Sequence, residues 1–312
     1  MDKIKNEKRT ITGYLMIMFR GMGMGAADVV PGVSGGTIAF ITGIYEELIG
    51  SLSNINLNAL RVLSKEGIRS CWRYINGNFF VALFLGIGIS VLSLAKILVY
   101  LLEHYPVLLW SFFFGLVLSS AIFVLRSMDK WNFYAFIAII VGTTVAALIS
   151  SLQSTADGGA YWYIVLSGAI AICAMILPGI SGAFILVLLG SYHTIIGGIK
   201  DFNLTIIGLF ALGCLIGLLS FSRLLNYLFA HYKNLVLALL AGFLFGSLWK
   251  IWPWKERVGE SPLIVHSDGR EVWMDQNVWP EMVATGQLWG AVVLAVSGFL
   301  LVFVVERFGA KN

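Results

Sequence analysis

Long apolar runs separated by short polar stretches set the pattern of this chain. Phe79–Leu102, Val107–Leu125, Phe133–Leu152, Leu204–Phe229 and Leu288–Val305 approach or exceed the roughly 18 apolar residues that read as a membrane-spanning helix. Two further apolar segments are each interrupted by the same motif: Pro31-Gly32-Val33-Ser34-Gly35 and Pro178-Gly179-Ile180-Ser181-Gly182. Proline ends a helix by removing a donor and clashing with the preceding turn, and the small residues that follow suit a new helix start.

The two motifs stand 147 residues apart, and that spacing also pairs Tyr14 with Tyr161, Gly21 with Gly168, Gly43 with Gly190, Tyr45 with Tyr192 and Asn56 with Asn203. Further on the spacing becomes 127, pairing Gly86 with Gly213, Ser93 with Ser220, Lys96 with Arg223, Tyr100 with Tyr227, His104-Tyr105 with His231-Tyr232, and Gly115 with Gly242. Tyr, His and a cation in register exceed what two greasy segments share by chance, and self-similarity of this kind reads as a structural repeat. The expected fold is an all-α polytopic membrane protein of two repeats, residues 1–152 and 153–312. Each repeat is a broken or re-entrant helical hairpin (about 12–50 and 161–199) followed by three transmembrane helices.

An odd number of crossings per repeat makes the second copy enter from the opposite side, giving inverted topology. Lys and Arg counts agree: thirteen fall on parts placed inside when the N-terminus is cytoplasmic, against five outside. The expected location is the cytoplasmic membrane, multi-pass, with both termini inside. Two polar inserts complete the organisation. Residues 59–78 are basic and amphipathic and suit the cytoplasmic interface. The outer loop 252–285 carries a small β-hairpin pattern around Ser267-Asp268-Gly269.

Composition narrows the class. Apolar residues make up 58% of the 312 and charged residues 12%, about half the usual soluble share of roughly 25%. Three separated cysteines form neither a disulfide framework nor a metal pattern, no cofactor motif is present, and no cleavable targeting segment follows the basic start.

Interrupted helices survive in a membrane where they are buried or line a polar cavity. Ser34 is placed to cap the segment after the first break, a segment of about 15 residues whose first turn is Gly35, Gly36 and Thr37. At roughly 23 Å it falls short of a hydrocarbon core of about 30 Å, which favours a re-entrant hairpin over a tilted full crossing. A half-helix start with free amides and glycine is suited to an anion. Close helix packing through small residues is the alternative. Arg20, Asp28, Lys96 and Arg223 are intramembrane charges, which face a cavity or a partner. For Arg20 the competing reading is a pair with Asp28, and for Lys96 and Arg223 it is snorkelling to an interface. Glu46 and Glu47 end the hairpin near the cytoplasmic side, with a coupling role open for Glu46 and for Asp28. His104 and His231 read as interface anchors.

Arg20-Gly-Met-Gly-Met-Gly-Ala-Ala-Asp28-Val-Val-Pro31-Gly-Val-Ser34-Gly-Gly-Thr37, then Gly43-Ile-Tyr45-Glu46 and a second Leu177-Pro-Gly-Ile-Ser-Gly182, closely resembles the signature of the prokaryotic polyprenyl-phosphate translocases. The resemblance covers nearly the whole chain. It implies a transporter, with no catalytic residues, that returns undecaprenyl phosphate from the outer to the cytoplasmic leaflet for envelope synthesis, peptidoglycan included. It implies a site of Arg20, Asp28, Ser34, Gly35, Gly36 and Thr37, with Ser181 and Gly182 opposite. Lys96 and Arg223 join that set from their matched positions. The second copy departs from the first, with Ser167, Met175 and Phe184 where Arg20, Asp28 and Thr37 stand. Implied partners are the lipid and the bilayer, with no nucleic acid and a homo-oligomer left open. A membrane-embedded diphosphate phosphatase using Ser34, and a small-anion channel or carrier, are the rival readings.

Overall fold

A computed structural model describes residues 9–29, 34–151, 160–258, 264–265, 271–272, 274–280 and 285–309. The protein is helical almost throughout. In order come α1 (Ile11–Val29), α2 (Gly35–Ile41), α3 (Tyr45–Ser53), α4 (Leu57–Glu66), α5 (Ile68–Tyr74), α6 (Gly77–His104), α7 (Pro106–Arg126) and α8 (Phe133–Ser151). Then follow α9 (Tyr161–Ile176), α10 (Gly182–Leu188), α11 (Tyr192–Lys200), α12 (Leu204–Ser247), strands β1 (Lys255–Val258), β2 (Ile264–Val265), β3 (Glu271–Val272) and β4 (Met274–Asn277), and α13 (Thr285–Gly309). Among the described residues, α6, α7, α12 and α13 contain stretches long and apolar enough to cross a membrane, and α8 and α9 are shorter apolar helices.

The segment expected as one helix of about 15 residues after the first break is two. Gly43 sits at φ +74° between α2 and α3, and Gly190 at +66° does the same between α10 and α11. A left-handed residue cannot continue a right-handed helix, and glycine takes that conformation without a Cβ penalty. Conversely, α12 runs through what the sequence divides into two helices, but it kinks at Tyr232, whose φ and ψ are −133° and 38°. Tyr105, 127 residues earlier, has −134° and 47° between α6 and α7.

Glycines set the closest helix contacts. A Cβ on Gly21 would run into the carbonyl of Leu83, and one on Gly86 into that of Met18, so α1 and α6 touch backbone to backbone. Gly168 meets the Phe210 carbonyl and Gly213 that of Val165, which joins α9 to α12 at matching positions. Small residues permit such approach where no hydrophobic force drives membrane helices together. Gly115 and Gly298 bring α7 against α13, while Gly142 and Gly242 bring α8 against the second part of α12.

Polar contacts mark two ends of the bundle. At one end Arg9 pairs with Glu47 at 2.6 Å, Lys233 with Glu46 at 3.2 Å, and Asn76 donates to Glu47 at 2.8 Å. The Glu47 carboxylate holds the Arg9 guanidinium above its ordinary pKa. Arg126 lies over the Phe303 ring at the same end of α7 and α13. At the other end Lys255 Nζ sits 4.6 Å from the Trp110 ring centre, and Asn277 donates to the Trp249 carbonyl at 2.7 Å. The loop hairpin is present as β2 paired with β3, and β1 pairs with β4 outside it, a longer arm the sequence pattern did not indicate. The basic insert is the helix pair α4–α5, with Leu57, Leu60, Ile68 and Trp72 exposed beside Arg61, Lys65, Arg69 and Arg73.

Candidate functional site: the joined breaks

Ser34 caps α2 as the sequence indicates, with extended backbone and Oγ accepting from Gly36 N at 3.1 Å. The residues just before it, 30–33 with Pro31 and Gly32, lie outside the described set. Asp28, in the last turn of α1, reaches across the break, and its Oδ1 accepts from Gly35 N at 2.7 Å. The first amide of α2 therefore already holds an anionic partner from its own chain, a charge-assisted bond of the stronger kind.

The second break is pressed against this cap. Gly179 N donates to Thr37 Oγ1 at 3.1 Å, and the Ser34 hydroxyl reaches the carbonyls of Met175 and Leu177 at 3.3 and 3.4 Å. Gly36 faces the Ile176 carbonyl so closely that a Cβ would stand 2.7 Å from it. Ser34 and Thr37 are 1% and 0% exposed, so this polar junction lies in the interior. The last carbonyls of a helix lack intrahelical donors, and those at the end of α9 supply the acceptors that Ser34 uses. Sequence reasoning missed Met175, Ile176 and Leu177 as partners. The signal was Pro178, which ends α9 and leaves those carbonyls free.

The other expected residues are distributed differently. Arg20, half-buried, is eight residues and about 12 Å along α1 from Asp28, and its charged neighbours are Arg9 and Glu47. No ion pair joins it to Asp28 among the described residues. Arg223 is exposed and donates to the Ile55 carbonyl at 3.3 Å, away from the breaks. The side chain of Lys96 lies outside the described set. Ser181 precedes α10, and Gly182 packs so tightly on the Ala171 carbonyl that a Cβ would stand 2.7 Å away. Glu46 belongs to the Lys233 pair at the bundle end. Among the described residues no group of three or more His, Cys, Asp or Glu could hold a metal. Two apolar grooves open on the bundle surface. One of about 400 Å³ is lined by Trp72, Phe80 and Phe84, and one of about 520 Å³ by Tyr134, Val141, Tyr232 and Leu239.

The family model described as undecaprenyl phosphate translocase-like matches residues 24–264, which takes in both breaks. The chain belongs to that family. Within this translocase-like family, the chain is similar to the polyprenyl-phosphate transporter of Vibrio cholerae serotype O1. The two are 43% identical over 304 residues, 96% of this chain and 98% of that protein. It is also similar to the polyprenyl-phosphate transporter of Staphylococcus aureus, 31% identical over 255 residues, 76% of this chain and 85% of that one. No solved structure matches it. By family the chain is a membrane transporter, and the buried polar junction between the two helix breaks is its candidate site.

Proposed function

We propose that this protein moves undecaprenyl phosphate from the outer to the cytoplasmic leaflet of the cell membrane, holding the phosphate where the two breaks meet. The bond from Gly179 N to Thr37 Oγ1 carries the reading, because it makes one interior site out of two distant segments. The named transport substrate of two relatives supplies the lipid class.

The repeats are of opposite orientation. In support, α7 leaves the end marked by Trp110 and finishes at Arg126, while the equivalent second part of α12 starts at Lys233 and finishes near Trp249. The first hairpin is re-entrant, since α1 begins and α3 lies at the end where Arg9 meets Glu47. That end is cytoplasmic by its excess of Lys and Arg, and α1 starts and α13 finishes there. Inverted repeats let one central site face each side in turn.

In the cycle proposed, Asp28 occupies the Gly35 amide until the lipid arrives. The phosphate displaces it and takes the amides of Gly35 and Gly36 with the hydroxyls of Ser34 and Thr37. Arg20 and Lys96 offset its charge, Ser181 and Gly182 form the facing wall, and Arg223 ties helices instead of binding lipid. The isoprenoid tail stays in the bilayer beside the apolar grooves. No bond is made or broken.

Vesicles containing the purified protein test this. Labelled polyprenyl phosphate should change leaflet without release of inorganic phosphate. Absence of lipid movement together with flux of inorganic anions would replace this reading with a small-anion carrier.

A further inference from the structure

The helix pair α4–α5 is held as a unit at the end that Arg9 marks. Asn56 caps α4, Gly67 turns the chain at φ +83°, and the Cys71 thiol of α5 donates to the Ala59 carbonyl of α4 at 3.5 Å. Asn54 donates to the Tyr74 carbonyl at 3.1 Å, and Asn76 to Glu47 and Ser51 at 2.8 and 3.1 Å, which fixes the pair to α3. Both helices carry the same lateral pattern. Leu57 and Leu60 form an exposed stripe of α4 with Arg61 and Lys65 beside it, and Ile68 and Trp72 form one of α5 with Arg69 and Arg73 beside it. Residues three and four apart share a helix face, so the outer side of each helix is part apolar and part cationic. Against these four exposed cations, Glu66 is the one carboxylate in residues 57–74.

Beside this surface the apolar groove of about 400 Å³ begins at Trp72 and follows Phe80, Val81, Phe84 and Leu85 along α6. The Trp72 indole is fixed: it lies against Gly77, where a Cβ would run into the ring, and its Nε1 donates to Asn78 at 2.8 Å. Phe80 and Phe84 stack with ring centres 5.9 Å apart. From Gly77 to Leu85 the helix advances about 12 Å, close to one leaflet's half of a hydrocarbon core of about 30 Å. The occupant that fits has negative charge at one end and a chain of leaflet length at the other. We infer that α5 and this groove bind one anionic phospholipid of the leaflet at this end, its phosphate on Arg69 and Arg73 and an acyl chain along Trp72, Phe80 and Phe84. Guanidinium groups match phosphate oxygens in pairs, and basic clusters next to a span attract anionic headgroups. The site is separate from the junction of the breaks, and a polyprenyl tail far outruns the groove. Its occupant is a resident lipid and not the cargo.

Contact quenching tests this in vesicles of phosphatidylcholine that hold the purified protein and a minor share of brominated lipid. Bromine near the headgroup end of an acyl chain quenches an indole that it touches. The Trp72 contribution is the difference between wild-type protein and Trp72→Phe. Brominated phosphatidylglycerol should quench Trp72 at least threefold more than brominated phosphatidylcholine at the same share, and high salt should narrow the gap. R69Q/R73Q should abolish the preference. R126Q/K130Q, which removes two exposed cations elsewhere on the chain, should keep it. Mass spectrometry of protein released in detergent checks the count without altering Trp72: wild type should retain one phosphatidylglycerol more than R69Q/R73Q. Equal quenching by the two lipids, or equal loss of preference in both double variants, would overturn the site. So would unlabelled polyprenyl phosphate displacing the brominated lipid as well as phosphatidylglycerol does, because the groove would then belong to the transport path.

Discussion

Gly36→Ala adds one methyl group at the closest approach of the two breaks. The new Cβ would stand 2.7 Å from the Ile176 carbonyl oxygen and 3.3 Å from that of Met175. Both carbonyls are backbone and cannot swing aside, and the remaining neighbour, the Ser34 hydroxyl at 3.2 Å, is itself part of the junction. An ordinary contact needs roughly half an ångström more, and one break must slide off the other. Overpacking of this kind costs about 1–3 kcal/mol. The same slide lengthens the Gly179–Thr37 bond, already 3.1 Å, whose loss adds about 1 kcal/mol. A total of about 2–4 kcal/mol is a large part of a protein's stability, and thermal or denaturant unfolding in detergent should register it. Gly88→Ala is the control, since Gly88 lies inside α6 and an added methyl there would meet nothing within 4 Å. There the helix-interior gain of about 0.5–1 kcal/mol should appear with the opposite sign. Equal stability of the Gly36 and Gly88 variants would refute the contact between the breaks.

Three further outcomes follow from the junction and the packing. Thr37→Val leaves the buried Gly179 amide without its acceptor and should cost about 1–3 kcal/mol, while Thr37→Ser should retain most of the stability in the same unfolding assay. Asp28→Asn keeps an acceptor for Gly35 but removes the charge, so the phosphate competes against a weaker neutral bond. Polyprenyl phosphate should bind this variant more tightly in a direct titration and translocate more slowly, and unchanged affinity would remove Asp28 from the site. Gly142→Val and Gly298→Val each push a side chain into a carbonyl of the helix opposite, Leu239 and Phe112 respectively. If these two pairings are equivalent, the two losses of stability should agree within about 1 kcal/mol, a margin set by the usual context dependence of overpacking.

Much of this was legible because membrane burial leaves few ways to place apolar runs. The spans, the Ser34 cap and the matched glycines follow from length, capping preference and repeat spacing, and the Tyr105 and Tyr232 backbones adopt the same bend. What the sequence concealed was set by long-range contact. Gly43 and Gly190 look like ordinary helix glycines until their positive φ splits each returning segment. The approach of Asp28 to Gly35 depends on how α1 enters the break. The pairing of α7 with α13 and of α8 with α12 has no local signal at all, since Gly115 and Gly298 are compatible with any close partner. Arg223 matched Lys96 by position, yet its bond to Ile55 arises from the α3–α12 contact and not from the repeat.

The polarity of the junction constrains how an anion can use it. The donor end of α2 faces the carbonyl end of α9, and Asp28 adds a full negative charge beside them. In this arrangement the chain satisfies its own amides, and a phosphate arriving between the breaks would meet carbonyl oxygens and a carboxylate. Those groups disfavour it, while the Gly35 and Gly36 amides beneath them favour it. On the proposed reading, binding requires Asp28 and the end of α9 to withdraw from α2. On the proposed reading that withdrawal is the movement of one hairpin against the other, so occupancy of the site and reorientation of the repeats are a single event. A rigid cradle of free amides would hold the phosphate equally well in every state and would give the protein no reason to move.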